Sequence, residues 1–199
     1  MIGIIIVNTV LYLLRHGETE WSLSGRHTGR TDIPLTEKGK EQAKLVAGYM
    51  SKITFSKVLV SPLSRAQETA KLAGFSSATT CDDLTEFDYG SYEGLTTVEI
   101  RKNISDWTVW THPCINGETL AQVEARAKNV ISLANSSGGN VAVVSHGHML
   151  RILTATWLQL PPSEGRHFML DTSTISILSH ERETPAIKLW NASVLPNFS

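Results

Sequence analysis

Cysteine is scarce in this chain of 199 residues: Cys81 and Cys114 stand far apart, in no metal-type spacing. That excludes a disulfide scaffold and a cysteine-based zinc module, and reads as reduced structural thiols in a cytosolic protein. Excess charge is missing as well. Eighteen Lys and Arg against nineteen Asp and Glu leave a net charge of −1, so no global field draws the chain to nucleic acid or to an anionic membrane. Anion binding has to come from a local cluster. The apolar opening, residues 1–14, is too short to span a bilayer as a helix. It has no basic segment ahead of it and no small-residue cleavage pattern. It reads as a buried first strand rich in Ile and Val rather than as a secretory leader. Internal repeats, low-complexity tracts and glycine-rich phosphate loops of the P-loop or dinucleotide type are also lacking.

What is present is an ordinary globular composition, 41% apolar and 19% charged, in a length that suits a single domain over residues 1–199. Strand-like and helix-like segments alternate through the first three quarters. This predicts an α/β fold with a mostly parallel sheet and helices on both faces. Thr36 caps a helix whose core stripe is Ala43, Val46, Ala47 and Met50. Residues 57–60 read as a short buried strand. Ser61 and Pro62 then read as the cap and first position of a helix with Arg65 in its first turn. Residues 78–81 form a weaker strand. Thr119 opens a capping box before a helix with Leu120, Val123, Ala127, Val130, Ile131 and Ala134 on one face. Residues 141–144 are the clearest strand, and a helix follows over 149–158. Residues 167–170, 174–178 and 186–190 read as strands, the last two paired as a hairpin at a sheet edge.

Polar residues follow three of these strands at once. Arg15, His16 and Gly17 end the first, Arg65 follows the second, and Ser145, His146, Gly147 and His148 follow the clearest. In open α/β sheets ligands bind at the carboxyl ends of strands. Two arginines and two histidines gathered there suit a tetrahedral dianion, because forked guanidinium donors match phosphate oxygens. Histidine can act as a nucleophile or a proton carrier near neutral pH. Backbone amides after His146 would add anion affinity. Glu86, in an acidic and aromatic loop over 84–94, can protonate a leaving oxygen. His146 and His148 also match a metal-ligand spacing, but no third ligand lies near them in sequence, so no metal is expected. The loop over 17–34 carries Arg26, His27 and Arg30 and is long enough to read as functional. Residues 96–116, with Trp107 and Trp110, read as short helices covering a cleft.

In order along the chain stand Arg15-His16-Gly17-Glu18-Thr19-Glu20-Trp21, Thr28-Gly29, Pro34-Leu35-Thr36, Ser61-Pro62-Leu63-Ser64-Arg65-Ala66-Gln67-Glu68-Thr69-Ala70, Glu86 before Tyr89-Gly90-Ser91-Tyr92-Glu93-Gly94, Gly117-Glu118-Thr119 and Ser145-His146-Gly147. This set resembles the histidine phosphatase superfamily, in its phosphoglycerate-mutase-like branch, over nearly the whole chain. The resemblance implies a three-layer sandwich and a hydrolase of the phosphatase type. It implies His16 as the nucleophile that becomes a phosphohistidine, with Arg15, Arg65 and His146 binding the phosphoryl group. Glu86 would be the general acid and then the base for water. No metal and no other cofactor is implied.

Departures from the mutase pattern narrow the expectation. Mutases of this branch carry Asn and Lys where this chain has Ser22 and Thr97, and a longer insertion with an arginine pair where it has only Arg101 beside Lys102. A mutase must hold a second phosphorylated group while it turns; with fewer cations, water wins. The expected activity is therefore a metal-independent phosphomonoesterase for a small phosphorylated metabolite, a sugar phosphate or bisphosphate. The run 21–29 is similar to that of sedoheptulose-bisphosphatase-like members. The alternative is a phosphoglycerate-mutase-type phosphotransferase; an idle binding module is disfavoured by the intact set. Ser22, Thr28, Gly29, Gly147 and Tyr89 are expected substrate contacts, with Tyr92, Trp107 and Trp110 as pocket walls or as packing. His148 and Arg151 are assigned to the helix after the site, and His27 either to the pocket rim or to solvent. The expected setting is cytoplasmic, as monomer or homodimer, with a small phosphate ester as partner and neither nucleic acid nor membrane.

Overall fold

Strand alternation builds the centre of the molecule. In β1 (Val10–Arg15), Leu11 and Leu13 pack into one core while Tyr12 and Leu14 pack into another on the opposite side. Successive strand residues point to opposite faces, so a strand apolar on both must be covered on both. The computed structural model describes residues 9–194. The expected first strand therefore appears as β1 from Val10, and its predicted head over 1–8 lies outside the described residues. β4 (Asn140–Ser145) lies parallel beside β1, from Val10 opposite Asn140 to Arg15 opposite Ser145. β2 (Lys57–Val60) runs parallel on its other side, and β3 (Thr79–Thr80) forms that edge. Beyond β1 come β5 (Ile175–Glu181) and β6 (Thr184–Ala192), both antiparallel to their neighbours. The order β3-β2-β4-β1-β5-β6 is mostly parallel, with the predicted hairpin at its edge.

Helices cover both faces, as the alternation of elements implies. On one side α5 (Leu120–Ser137) and α6 (Gly147–Trp157) bring Val123, Ala127, Val130, Met149, Leu150 and Leu153 onto Leu11, Leu13, Val141 and Val143. On the other, α2 (Glu37–Met50) and α3 (Ser64–Leu72) lay Val46, Met50, Ala66 and Ala70 onto Leu14, Val60 and Val144. Burying each such Val, Leu or Met side chain contributes roughly 1.5–3 kcal/mol, so the stripes place these helices more firmly than propensity does. Two short helices, α1 (Glu20–Ser24) and α4 (Thr97–Arg101), lie in the connecting segments, each opened by a capping box. α1 thus gives the 17–34 segment one ordered turn. Cys81 and Cys114 are free. Among the described residues no helix is long and apolar enough to cross a membrane.

Three expectations are corrected. Ser61 does not cap α3. The cap position is Leu63, without a side-chain bond, and the Ser64 N–H donates to both oxygens of Asp32, at 3.0 and 3.1 Å. The cap comes from the 17–34 segment; the Ser61 hydroxyl lies 2.7 Å from His146 Nε2 and accepts only the Leu63 N–H, at 3.3 Å, from the residues that lead into α3. Residues 167–170 are not a strand: a 3-10 turn, Pro162–His167, runs into them. Their carbonyls bond side chains instead of a ladder, Met169 accepting from the Trp190 indole and Leu170 from Arg15. The weak strand over 78–81 shrinks to the two residues of β3.

Backbone contact fixes where α2 meets the loop after β1. A Cβ on Gly39 would overlap the Glu18 backbone, its nitrogen at 2.7 Å, and a Cβ on Gly17 would overlap the Gly39 carbonyl. Neither neighbour is a flexible side-chain tip, so the backbone has to move. Gly39→Ala should therefore destabilise the fold by about 1–3 kcal/mol despite better helix propensity. Urea melts of the two proteins measure this; an equally stable variant would show that the loop yields freely.

Candidate active site

The carboxyl ends of β1, β2 and β4 meet at one level. The His16 N–H donates to the Ser145 carbonyl at 2.9 Å, and the Ser61 N–H to the Val144 carbonyl at 3.0 Å. His16 and His146 thereby face each other with ring centres 5.1 Å apart. A cavity of about 190 Å³ opens there, lined by Arg15, His16, Ser22, Thr28, Glu86, Tyr89 and Gly147 among others. Its size is below the roughly 300–1,000 Å³ of pockets for drug-sized ligands, which suits a compact molecule. A larger open groove of about 840 Å³ runs along α3 past Gln67 and Lys71 and holds none of the strand-end residues.

His16 is held in one tautomer. Its Nδ1 lies 2.7 Å from the carbonyl of Gly17, an acceptor only, so that nitrogen carries the proton. Nε2 is left with its lone pair. Burial, with Arg15 and Arg65 nearby, holds the imidazole pKa well below its usual value, so the ring stays neutral. Arg15 donates to the Leu170 carbonyl, while its buried Nε has no partner among the described residues. Glu86 is held at the start of α6: Oε1 accepts from the N–H groups of Phe87 and Met149, and Oε2 from that of His148, all at 2.8–3.0 Å.

Arg65 and His146 sit directly behind this lining, both fully buried. The Arg65 Nε donates to His146 Nδ1 at 3.2 Å, and its terminal nitrogens to the carbonyls of Thr28, Gly29 and Thr31. With Nδ1 an acceptor, His146 Nε2 carries the proton and donates to Ser61. Gly29 therefore contributes a carbonyl to Arg65 and does not line the cavity. Ser22 lines it while also completing the cap of α1.

The other expected walls divide. Trp107 and Tyr92 are core, packed edge to face. Trp110 lies against His148 and under Arg151. His27 falls on the cavity side, against Tyr89 and Trp107, and burial pushes its pKa down to about 4. His148 and Arg151, assigned from the sequence to the helix alone, both line the cavity. Their spacing carried a signal. Gly147 and Arg151 are four places apart and His148 and Arg151 three, so all three share one side of the first turn of α6.

A model of the histidine phosphatase superfamily (branch 1) matches residues 11–193. The chain is 46% identical over 178 residues to an acid phosphatase of Mycobacterium tuberculosis, a match covering 87% of this chain and 88% of that one. It is 33% identical over 181 residues to sedoheptulose 1,7-bisphosphatase of Saccharomyces cerevisiae, covering 74% and 67%. A solved structure of an open reading frame product from Mycobacterium tuberculosis superposes with a TM-score of 0.90 at 43% identity, over 94% of this chain and all of that one.

Two buried imidazoles, His16 and His146, and two half-buried ones, His27 and His148, are held neutral, with a consequence for stability. His16, His146 and His148 have pKa values well below 6.5, and that of His27 is about 4; burial is the leading cause in each. Below pH 6.5 the unfolded chain takes up protons that the folded chain refuses. Their contribution is thus complete above pH 6.5 and is lost as pH falls toward the folded values. Each group lowers stability by up to about 1.4 kcal/mol per pH unit in that window. Urea melts between pH 7 and pH 5 should show the loss, with a smaller slope in His148→Gln; a flat profile would contradict it.

Proposed function

The chain belongs to the histidine phosphatase superfamily, and on that premise we propose that it is a metal-independent phosphomonoesterase for a small phosphorylated metabolite, a sugar phosphate or bisphosphate. One observation carries this reading: His16 is neutral with a free Nε2 lone pair, beside an Arg15 guanidinium whose buried Nε has no partner among the described residues. A nucleophile and an unspent anion donor stand together on one cavity wall. The relatives named acid phosphatase and sedoheptulose 1,7-bisphosphatase support a hydrolase with a phosphorylated substrate.

The chemistry follows from these positions. His16 Nε2 attacks phosphorus, forming the N–P bond as the ester P–O bond breaks. The leaving oxygen takes a proton from Glu86, whose Oε2 accepts a single N–H and is the oxygen with room to carry one. Water then attacks the phosphohistidine and gives its proton to Glu86. Phosphate leaves and His16 is restored. Splitting the reaction replaces one difficult displacement by two easier ones. Arg15 meets the charge on the equatorial oxygens. Arg65 and His146 support it from behind, Arg65 by holding the Thr28 and Gly29 carbonyls and His146 in place. Ser22, Thr28, Tyr89 and Gly147 line the same cavity.

The test is phosphate release without added metal from a panel of phosphosugars, phosphoglycerates and p-nitrophenyl phosphate. His16→Ala should lower kcat by more than about 10⁴-fold, as loss of a nucleophile does, and acid quench should trap labelled phosphohistidine only in wild type. Interconversion of phosphoglycerates without release would give the transferase instead. Glu86→Gln should cost about 10²–10⁴-fold on alkyl phosphates. It should cost far less on p-nitrophenyl phosphate, whose leaving group needs no proton. Equal losses on both would remove Glu86 from the acid role.

A further inference from the structure

Arg15 is held at both ends by one loop. The segment 169–173, which leads toward β5, takes the guanidinium through the Leu170 carbonyl. Within the same segment the Ser173 N–H donates to the carbonyls of Arg15 and His16, at 3.1 and 3.3 Å. Leu170 is the one hydrogen-bond partner of the guanidinium among the described residues, so this loop decides where the group points. Yet the loop does not favour its own shape. Ser173 is left-handed, with φ of 56°, and its buried hydroxyl has no partner among the described residues. Both features cost free energy, and such a residue persists only where its surroundings over-determine it.

Those surroundings are the end of β6. The Asp171 N–H donates to Asn191 Oδ1 at 2.8 Å, and Asn191 Nδ2 donates to Asp171 Oδ2 at 2.9 Å. One residue earlier, the Trp190 indole N–H donates to the Met169 carbonyl at 2.6 Å, and its ring packs against Phe168 with centres 5.4 Å apart. These contacts coincide with an irregularity in the strand. Ile175 lies opposite Ala192 and Ile177 opposite Leu189, so β6 has one residue more than β5 in this stretch. A bulge of this kind re-aims side chains and is over-represented beside active sites. Asn191 sits in it with φ of 51°, its own N–H taken by the Ser176 hydroxyl at 2.9 Å. Its side chain is left to meet the loop.

We propose that Asn191 is a positioning residue for the reaction: by clamping Asp171 it fixes the 169–173 loop, and through Leu170 and Ser173 it sets the Arg15 guanidinium with its Nε unspent. The inference rests on the reading of Arg15 as the donor that meets the phosphoryl group. A donor fixed beforehand loses little entropy when the anion arrives, whereas a loose arginine must be ordered at that moment. No described carboxylate lies within ion-pair distance of Arg15, so orientation, rather than a salt bridge, is what the loop supplies.

The experiment titrates inorganic phosphate by calorimetry into wild type, Asn191→Gly, Arg15→Lys and the double variant, with kcat and KM on p-nitrophenyl phosphate alongside. Glycine takes the left-handed backbone at 191 without strain, so Asn191→Gly removes the amide and leaves the bulge. It should weaken phosphate binding about fivefold, within the range that lost hydrogen bonds allow, and lower kcat/KM as well. In Arg15→Lys, whose ammonium has no fork to orient, the same change should cost less than about twofold. Asp171→Asn can keep both bonds of the clamp and should bind phosphate at least as well as wild type. An equal fall in both backgrounds would give Asn191 a structural role alone and overturn the proposal, as would unchanged binding in Asn191→Gly. A loss in Asp171→Asn as large as that in Asn191→Gly would make the charge of Asp171 the cause and also overturn it. Coupling to Arg15 in phosphate binding, without hydrolysis by wild type, would keep the positioning role and remove the phosphatase reading. No phosphate binding by wild type would overturn both.

Discussion

The buried guanidinium of Arg65 is the joint on which the site depends. It is fully buried on α3, yet it bonds His146 and three carbonyls of the segment that follows β1. Taking such a charge out of water costs several kcal/mol, and only a complete set of acceptors offsets that. The demand runs outward. The carbonyls of Thr28, Gly29 and Thr31 must turn inward, which draws the segment across the strand ends. Asp32 then arrives 3.7 Å from Arg65 and caps α3 through Ser64. With Nδ1 of His146 accepting, its other nitrogen donates to Ser61, which ties β4 to β2. One cation that cannot lose its proton thereby sets the loop, the helix start and an imidazole tautomer.

The cavity separates two kinds of group by how each responds to burial. Imidazoles give up their charge when desolvated, and guanidiniums keep theirs. The four histidines around the site are therefore neutral hydrogen-bonding groups, and the positive charge belongs to arginines. A neutral His16 has the lone pair that attack on phosphorus needs, while a fixed cation beside it meets the charge that develops. Glu86 stays within reach because the first amides of α6 hold it, and those amides are oriented by the helix itself.

Much of this was legible in the sequence because it is local. The apolar runs over 11–14 and 141–144 read as strands buried on both faces, and the stripes of α2 and α5 follow from helix geometry. The capping box at Thr119 satisfies its own helix with residues three apart. Arg15, His16 and His146 stand at the ends of strands and Arg65 in the first turn of the helix after one, and parallel strands deliver their ends to one side. The order of motifs then identified the family and the α/β sandwich.

What the chain determined by itself is the set of strands, helices and strand-end residues, since these depend on neighbours a few places away. Tertiary structure alone decided how the remaining polar groups were shared out. Ser61 bonds His146 as well as the N–H of Leu63 because the histidine arrives from β4. Residues 168–170 give their carbonyls to Arg15 and Trp190 rather than to a strand, because those donors come from β1 and β6. His148 and Arg151 face the cavity because Tyr89, Trp110 and the turn at Gly165 hold them there. A hydrogen bond or a charge is satisfied by whichever partner lies within about 3 Å, and distance across the fold is not written in any short stretch of sequence.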